Sequence, residues 1–237
     1  MALASFDFPA CISCNFSSFC ISEKINFALK KSSSVIKQQL RLKRKEILCL
    51  PKKKFHSLYA IQKGALKAYQ AEANGKEVIR GFYFGGEIVG YEAIYTGHYM
   101  SSTIALTDTM VCEIPYDKFL KLIHSSPELQ KHLLHLISQQ LNIGSYVNLP
   151  TAEQRFTAFL MDLAQRLTPG KNKSEFITLP MSRQDIGNYL NLTAETISRL
   201  FSRLRKNRIV AIKDKMIHFL SHEKLQLIAE GVMSVRC

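Results

Sequence analysis

Three cysteines, Cys11, Cys14 and Cys20, stand close together near the N-terminus in a C-x2-C-x5-C spacing. Thiolates are soft ligands, so this arrangement suits iron–sulfur ligation, a zinc site or dithiol redox chemistry. Zinc ordinarily wants a second cysteine pair or histidines, and the nearest histidine is distant, at His56. The surrounding stretch, MALASFDFPACISCNFSSFC, has neither a helical nor a strand period. It reads as a loop that needs something other than a core to order it. Cys49, in the apolar run EILCLP, reads as a small core residue, and Cys237 is a terminal thiol with no partner pattern.

A second constellation lies at residues 182–208, SRQDIGNYLNLTAETISRLFSRLRKNR. Ser182 is placed to cap a short helix with Ile186, Tyr189 and Leu190 on its apolar side. Asn191-Leu192-Thr193 turns the chain, and Thr193 caps a second helix whose buried stripe is Ile197, Leu200 and Leu204. Glu195, Ser198, Arg199 and Ser202 fall on the other side, where a recognition helix meets base edges. Arginine can bind guanine in a bidentate manner and glutamate can accept from a cytosine amino group. The expected DNA-binding set is Thr193, Glu195, Thr196, Ser198, Arg199 and Arg203. An ordinary amphipathic hairpin has the same period; the compact turn and the basic tail Arg203, Arg205, Lys206, Arg208 favour DNA.

The elements that must position these residues fall into four regions. Residues 1–25 are the cysteine-rich loop. Between about 40 and 118, short apolar runs alternate with glycine-containing turns at Gly64, Gly75, Gly85, Gly86 and Gly97, as in a small antiparallel barrel or sandwich. Ser126, Pro127 and Glu128 then start a helix whose stripe, Leu129, Leu133, Leu136, Ile137 and Leu141, continues toward Val147 and Pro150. That helix is expected to be a dimer seam, with Gly144 able to kink it. Beyond Thr151 come a helix over 152–166, a strand in FITLPM and the two helices described above. IVAIKDKMIHFL follows, a β-hairpin that forms the wing of a winged helix.

Charge agrees with this division. The chain of 237 residues carries a net +13, with local excesses of +9 over residues 21–55 and +6 over 151–237. The second excess coincides with the helix-turn-helix pattern and suits phosphate contacts. No run of apolar residues is long enough to span a membrane, and the N-terminus is a poor signal peptide, so a cytoplasmic protein with reduced thiols is expected. Six cysteines there point to metal or redox chemistry before a disulfide scaffold. No nucleophile–base pair, phosphate loop or metal-hydrolase pattern argues for an enzyme.

Four stretches, SLYAIQKGALKAY, GFYFGGEIVGYEAI, TMVCEIP and DIGNYLNLTAETISRL, resemble the Fnr (fumarate and nitrate reduction regulator) branch of the Crp/Fnr transcription regulators. The resemblance runs over roughly residues 11–225. It implies an α+β chain: a β-roll or jelly-roll domain of the cyclic-nucleotide-binding type, a long dimerisation helix and a C-terminal winged helix-turn-helix. The corresponding bounds are 1–25 for the cluster loop, 26–125 for the roll, 126–149 for the helix and 150–237 for the DNA-binding domain. It further implies a [4Fe-4S] cluster held by Cys11, Cys14, Cys20 and, from the barrel strand, Cys112. Oxygen sensing, a homodimer on double-stranded DNA and contact with RNA polymerase are implied with it. The implied site has TTGAT and ATCAA halves separated by four base pairs. A thiol- or zinc-based sensor, or a small-molecule module on the same scaffold, is the alternative. Cyclic nucleotide is not expected: Glu87 keeps a Gly-Glu turn, but Met100 and Ser101 stand where an Arg-Ser pair would neutralise the phosphate.

Overall fold

Strands β3 (Ser57–Lys63) and β8 (Thr109–Pro115) form the centre of one face of the N-terminal domain, because their apolar residues recur on both sides of the pleat. In this computed structural model, which describes residues 36–73, 75–125, 127, 130–131, 133–134, 137–138, 144–168 and 175–235, they belong to an antiparallel sheet of order β1-β8-β3-β6. Its outer strands are β1 (Gln38–Leu42) and β6 (Ile88–Val89). The second sheet has the order β2-β7-β4-β5, from Ile47–Cys49, Ser102–Ala105, Ala65–Ala71 and Glu77–Phe84. The two sheets enclose Ile61, Leu66, Val89 and Val111 and make the expected roll. A one-turn helix, α1 (Ala93–Thr96), precedes β7.

Two helices were not legible beforehand. Residues 116–125 were assigned to the roll with no helix expected there, yet Tyr116–Ser125 is a helix, α2, that buries Phe119 and Leu122. His222–Ala229 is likewise helical and seats Leu225 and Ile228 in the core. The connecting helix is present at Pro127, Gln130, Lys131, Leu133, Leu134, Ile137 and Ser138. Ser126, Glu128, Leu129, Leu136 and Leu141 lie outside the described residues. The helix does not continue to 149 as expected. Gly144 adopts φ 86°, a left-handed conformation, and Ser145–Asn148 form a single 3-10 turn.

The C-terminal domain follows its pattern closely. α3 (Ala152–Leu167) starts with a capping box between Thr151 and Gln154. α4 (Arg183–Leu190) and α5 (Ala194–Lys206) form the helix-turn-helix, and α6 is the helix over His222–Ala229. β9 (Phe176–Thr178) pairs with β11 (Met216–Phe219), which pairs with β10 (Val210–Lys213) as the wing.

Besides the roll's own core between its sheets, one face of the roll shares a core with the winged helix. Phe82 and Phe84 of β5 share one apolar cluster with Tyr146, Phe159 and Tyr189. The Phe82 ring meets Tyr189 edge-on at 5.2 Å, and Tyr146 meets Phe159 at 5.9 Å. Gly144 is therefore constrained twice: its φ is unfavourable for an L side chain, and an added Cβ would lie 2.7 Å from the Tyr189 hydroxyl. Gly144→Ala is expected to lower stability by about 1–2 kcal/mol. An unchanged urea midpoint would show that the turn is not held as described.

Polar contacts lock the same joint. Arg166, 9 % exposed, donates through Nε to Glu87 Oε1 (2.7 Å) and through Nη2 to Glu87 Oε2 (2.9 Å). Its Nη1 reaches Asp162 (2.9 Å), and its Nη2 also donates to the Phe82 carbonyl. Glu87, read from the sequence only as part of a Gly-Glu turn, is thus an anchor for α3. Lys67 of β4 bridges Glu77 (2.6 Å) and Asp185 of α4 (2.8 Å). Burial alone would raise the Asp185 pKa, but hydrogen bonds from Lys67 and Ser182 outweigh it and hold the carboxyl below its ordinary range. A depressed folded-state pKa gives stability that is complete above about pH 4 and is lost as pH falls through the folded value. Unfolding midpoints followed below about pH 4 should therefore drop for the wild type and drop less for Asp185→Asn. Parallel curves would remove Asp185 from the acid response.

Candidate nucleic-acid interface

The helix-turn-helix is built from local chemistry. The Ser182 hydroxyl accepts from Asp185 N, and Asp185 returns the contact to the Ser182 backbone (3.0 Å), which fixes the start of α4. Asn191 closes α4 in the left-handed region at φ 54°. Leu192 N donates to Gly187 O (2.9 Å), and a Cβ on Gly187 would stand 2.7 Å from Leu192 O, so only glycine lets the turn close this tightly. Thr193 then caps α5, its hydroxyl accepting from Thr196 N (3.1 Å). Ile197, Leu200 and Leu204 are buried, as the spacing predicts, and so is Phe201, which the stripe did not include and which meets Phe156 edge-on at 4.7 Å.

The opposite face of α5 is open. Glu195 and Arg199 are about 70 % exposed and pair with each other at 2.6 Å, one helical turn apart. Their exposure leaves both free to exchange that contact for base edges, since exposed ion pairs are worth little. Ser198 is more committed: its hydroxyl donates to Ala194 O (2.8 Å) and accepts from Arg183 Nη1 (3.0 Å). The Arg183 guanidinium also lies over the Phe201 ring at 5.5 Å. Arg183 was not singled out in the sequence. It stands fifteen residues from Ser198, and only the turn brings the two together. Arg203, expected on the DNA face, donates instead to Glu153 of α3 (3.1 Å). Arg205, Lys206, Arg208, Lys213 and Lys215 remain exposed around the helix end and the wing.

Of the cysteines, Cys11, Cys14, Cys20 and Cys237 lie outside the described residues. Cys112 is 4 % exposed on β8, with Gln39 Nε2 at 3.9 Å from its sulfur. It shares an apolar cluster with Ile36 and Phe119, and Leu133 of the connecting helix packs on that cluster. One buried thiol beside Ile36 has the chemistry to supply a single thiolate corner of an iron–sulfur group, the other three cysteines of the expected set lying outside the described residues. Cys49 is equally buried but in a separate cluster, with Ala93 and Tyr99, and burial, with Glu92 adding to it, pushes its thiol up to about 12. Among the described residues no three His, Cys, Asp or Glu side chains gather as a metal site. No helix among them is long and apolar enough to cross a membrane.

With the geometry in place, similarity to known proteins can be set beside it. The cyclic nucleotide-binding domain family matches residues 39–126, and the Crp-like helix-turn-helix domain family matches residues 154–228. The fumarate and nitrate reduction regulatory protein of Escherichia coli is 35 % identical over 95 % of this chain and 92 % of its own. That of Vibrio cholerae is 36 % identical over 92 % and 90 %. Among solved structures, FixK2 of Bradyrhizobium japonicum superposes with a TM-score of 0.72 at 23 % identity, covering 81 % of this chain and 96 % of its own. A CooA mutant of Carboxydothermus hydrogenoformans gives 0.70 at 19 % identity, covering 89 % and 95 %, and shares the fold.

Proposed function

The chain belongs to the Crp/Fnr family of transcription regulators, is not an enzyme, and carries a helix-turn-helix DNA-binding domain; from that premise we propose an oxygen-responsive cytoplasmic regulator. It binds double-stranded DNA as a homodimer and senses through a [4Fe-4S] cluster held by Cys11, Cys14, Cys20 and Cys112. The observation that carries the sensing half is the position of Cys112, buried in the same apolar cluster on which Leu133 of the connecting helix rests. When bound, such a cluster supplies an oxygen-labile crosslink between the N-terminal loop and the roll. Cys112 would be its ligand from β8, and Leu133, packed on the same apolar cluster, ties that wall to the connecting helix. Leu134 and Ile137, both exposed, offer a second copy an apolar seam.

In the DNA-binding half, Arg199 takes a guanine in bidentate fashion and Glu195 accepts from a cytosine amino group. The Ser198 hydroxyl is already committed, so its methylene meets a thymine methyl, while Arg183, Thr193 and Thr196 contact phosphate. Arg203 serves as a tie between α5 and α3. The target has TTGAT and ATCAA halves, and RNA polymerase is the downstream partner. Arg199→Ala should cost about 1–3 kcal/mol of affinity and relax the preference for guanine. Equal affinity of variant and wild type for that site would refute the assignment. Cyclic nucleotide is not the effector, since no Lys or Arg occurs between Arg80 and Lys118 to neutralise its phosphate inside the roll.

The deciding experiment measures DNA affinity and bound iron on protein prepared without oxygen, before and after exposure to air. Loss of both together supports the proposal. A zinc-bearing or metal-free chain whose affinity follows thiol oxidation supports a thiol sensor on the same scaffold instead.

A further inference from the structure

Five large apolar side chains, Ile47, Leu50, Ile94, Tyr95 and Met100, are each at least 40 % exposed and sit on one edge of the roll. They come from two segments, 47–55 and 93–104, that the backbone stitches together. Lys52 N donates to Tyr99 O (2.9 Å), Tyr99 N to Lys53 O (3.0 Å) and Phe55 N to Gly97 O (2.8 Å), while Ile47 pairs with Ile104 across β2 and β7. Beneath them Cys49, Ala93 and Tyr99 are buried, and the Phe55 ring meets Tyr99 edge-on at 5.7 Å, so the patch rests on a rigid floor. β2 is the terminal strand of its sheet, and nothing in that sheet pairs with its outer edge.

The rim is positive. Lys52, Lys53 and Lys54 are exposed, and no ion pair to an acidic side chain engages them among the described residues. Neither 47–60 nor 93–107 contains an Asp or Glu. Just outside them, the Glu92 carboxyl is buried and Glu46 accepts from Lys43 N.

We propose that this edge docks an acidic polypeptide segment with apolar anchors on a partner protein. A phosphate backbone would use the lysines and leave the apolar five without a role. A second copy meeting the same patch would bring lysines against lysines. A membrane surface asks for side chains that can sink among acyl chains, whereas all but Tyr95 are already about half packed against the roll. Aromatic and methionine anchors inside a charged rim are what a protein partner uses. The inference does not depend on oxygen sensing, and its test leaves the DNA-reading helix untouched.

The test uses the full chain and a labelled synthetic peptide carrying Leu and Phe among Asp and Glu, followed by fluorescence anisotropy. Saturable binding is expected, weakened at least about tenfold, which is ~1.4 kcal/mol, by Tyr95→Ala combined with Met100→Ala. Lys52→Gln, Lys53→Gln and Lys54→Gln together should weaken binding and flatten its salt dependence. DNA affinity of every variant should equal that of the wild type. Absence of peptide binding, equal binding of a basic peptide with the same anchors, insensitivity to both sets of substitutions, or equal binding to vesicles of anionic lipid would each overturn the proposal.

Discussion

Arg166→Ala is expected to destabilise the chain by about 3–5 kcal/mol, because it removes one partner from a buried charge group and leaves the others uncompensated. Glu87 and Asp162 are each only 17 % exposed at the side chain, and both direct oxygens at the same guanidinium. Desolvation by itself would lower the Arg166 pKa, but the two carboxylates more than offset it and hold the group charged. Removing the cation also frees the Phe82 carbonyl and the Phe84 ring, over which the guanidinium stands at 4.9 Å. Glu87 belongs to the roll and Asp162 to α3, so the variant should also uncouple the two halves. Chemical denaturation is expected to change from one transition to two, with the roll and the winged helix unfolding separately. Arg166→Met with Glu87→Gln and Asp162→Asn should recover much of the loss, since neutral groups of similar size need no counter-charge. A single transition at the wild-type midpoint in Arg166→Ala would mean that the joint is held by the aromatic cluster alone.

Cys112→Ala is expected to abolish the response to air. The sulfur sits in an apolar wall with Ile36, Leu58 and Ile114, so alanine keeps the wall apolar and the fold intact. Serine at the same position would bury a hydroxyl and cost about 1–3 kcal/mol, which would confuse the readout. With Cys112→Ala, bound iron and visible absorbance should fall to background. DNA affinity measured without oxygen should match that of air-exposed wild type. Cys49→Ala, which removes a protonated core thiol, should retain iron and the difference between the two conditions. Iron retained at the wild-type ratio in Cys112→Ala would sink the assignment of the fourth ligand.

Both expectations begin from residues whose positions were legible to different degrees. The caps at Ser182 and Thr193, the buried stripe Ile197, Leu200 and Leu204, and the open face with Glu195 and Arg199 follow from local periodicity, because helix geometry places residues three and four apart together whatever else the chain does. The wing about Asp214-Lys215 follows from turn chemistry in the same way. Contacts of long sequence separation carry no such signature. Nothing at Arg183 announces Ser198, nothing at Glu87 announces Arg166, and Arg203 looks like one more basic residue until Glu153 is seen beside it. The short helices α2 and α6 were missed because their few apolar residues gain helical form only by packing, α2 on the roll and α6 in the core of the winged helix.

Sequence alone therefore determined a run of short antiparallel strands followed by a winged helix-turn-helix with one open helix face, because each of those features is set by spacing within one turn or one strand pair; that the strands form a roll of this family's type came from the resemblance. Tertiary structure decided how the two halves are joined: the break at Gly144, the clasp around Arg166 and the bridge from Lys67 to Asp185. It also decided which thiol is buried beside the connecting helix. Such choices rest on burial and on charge pairing between distant segments, quantities that exist only once the chain has closed on itself.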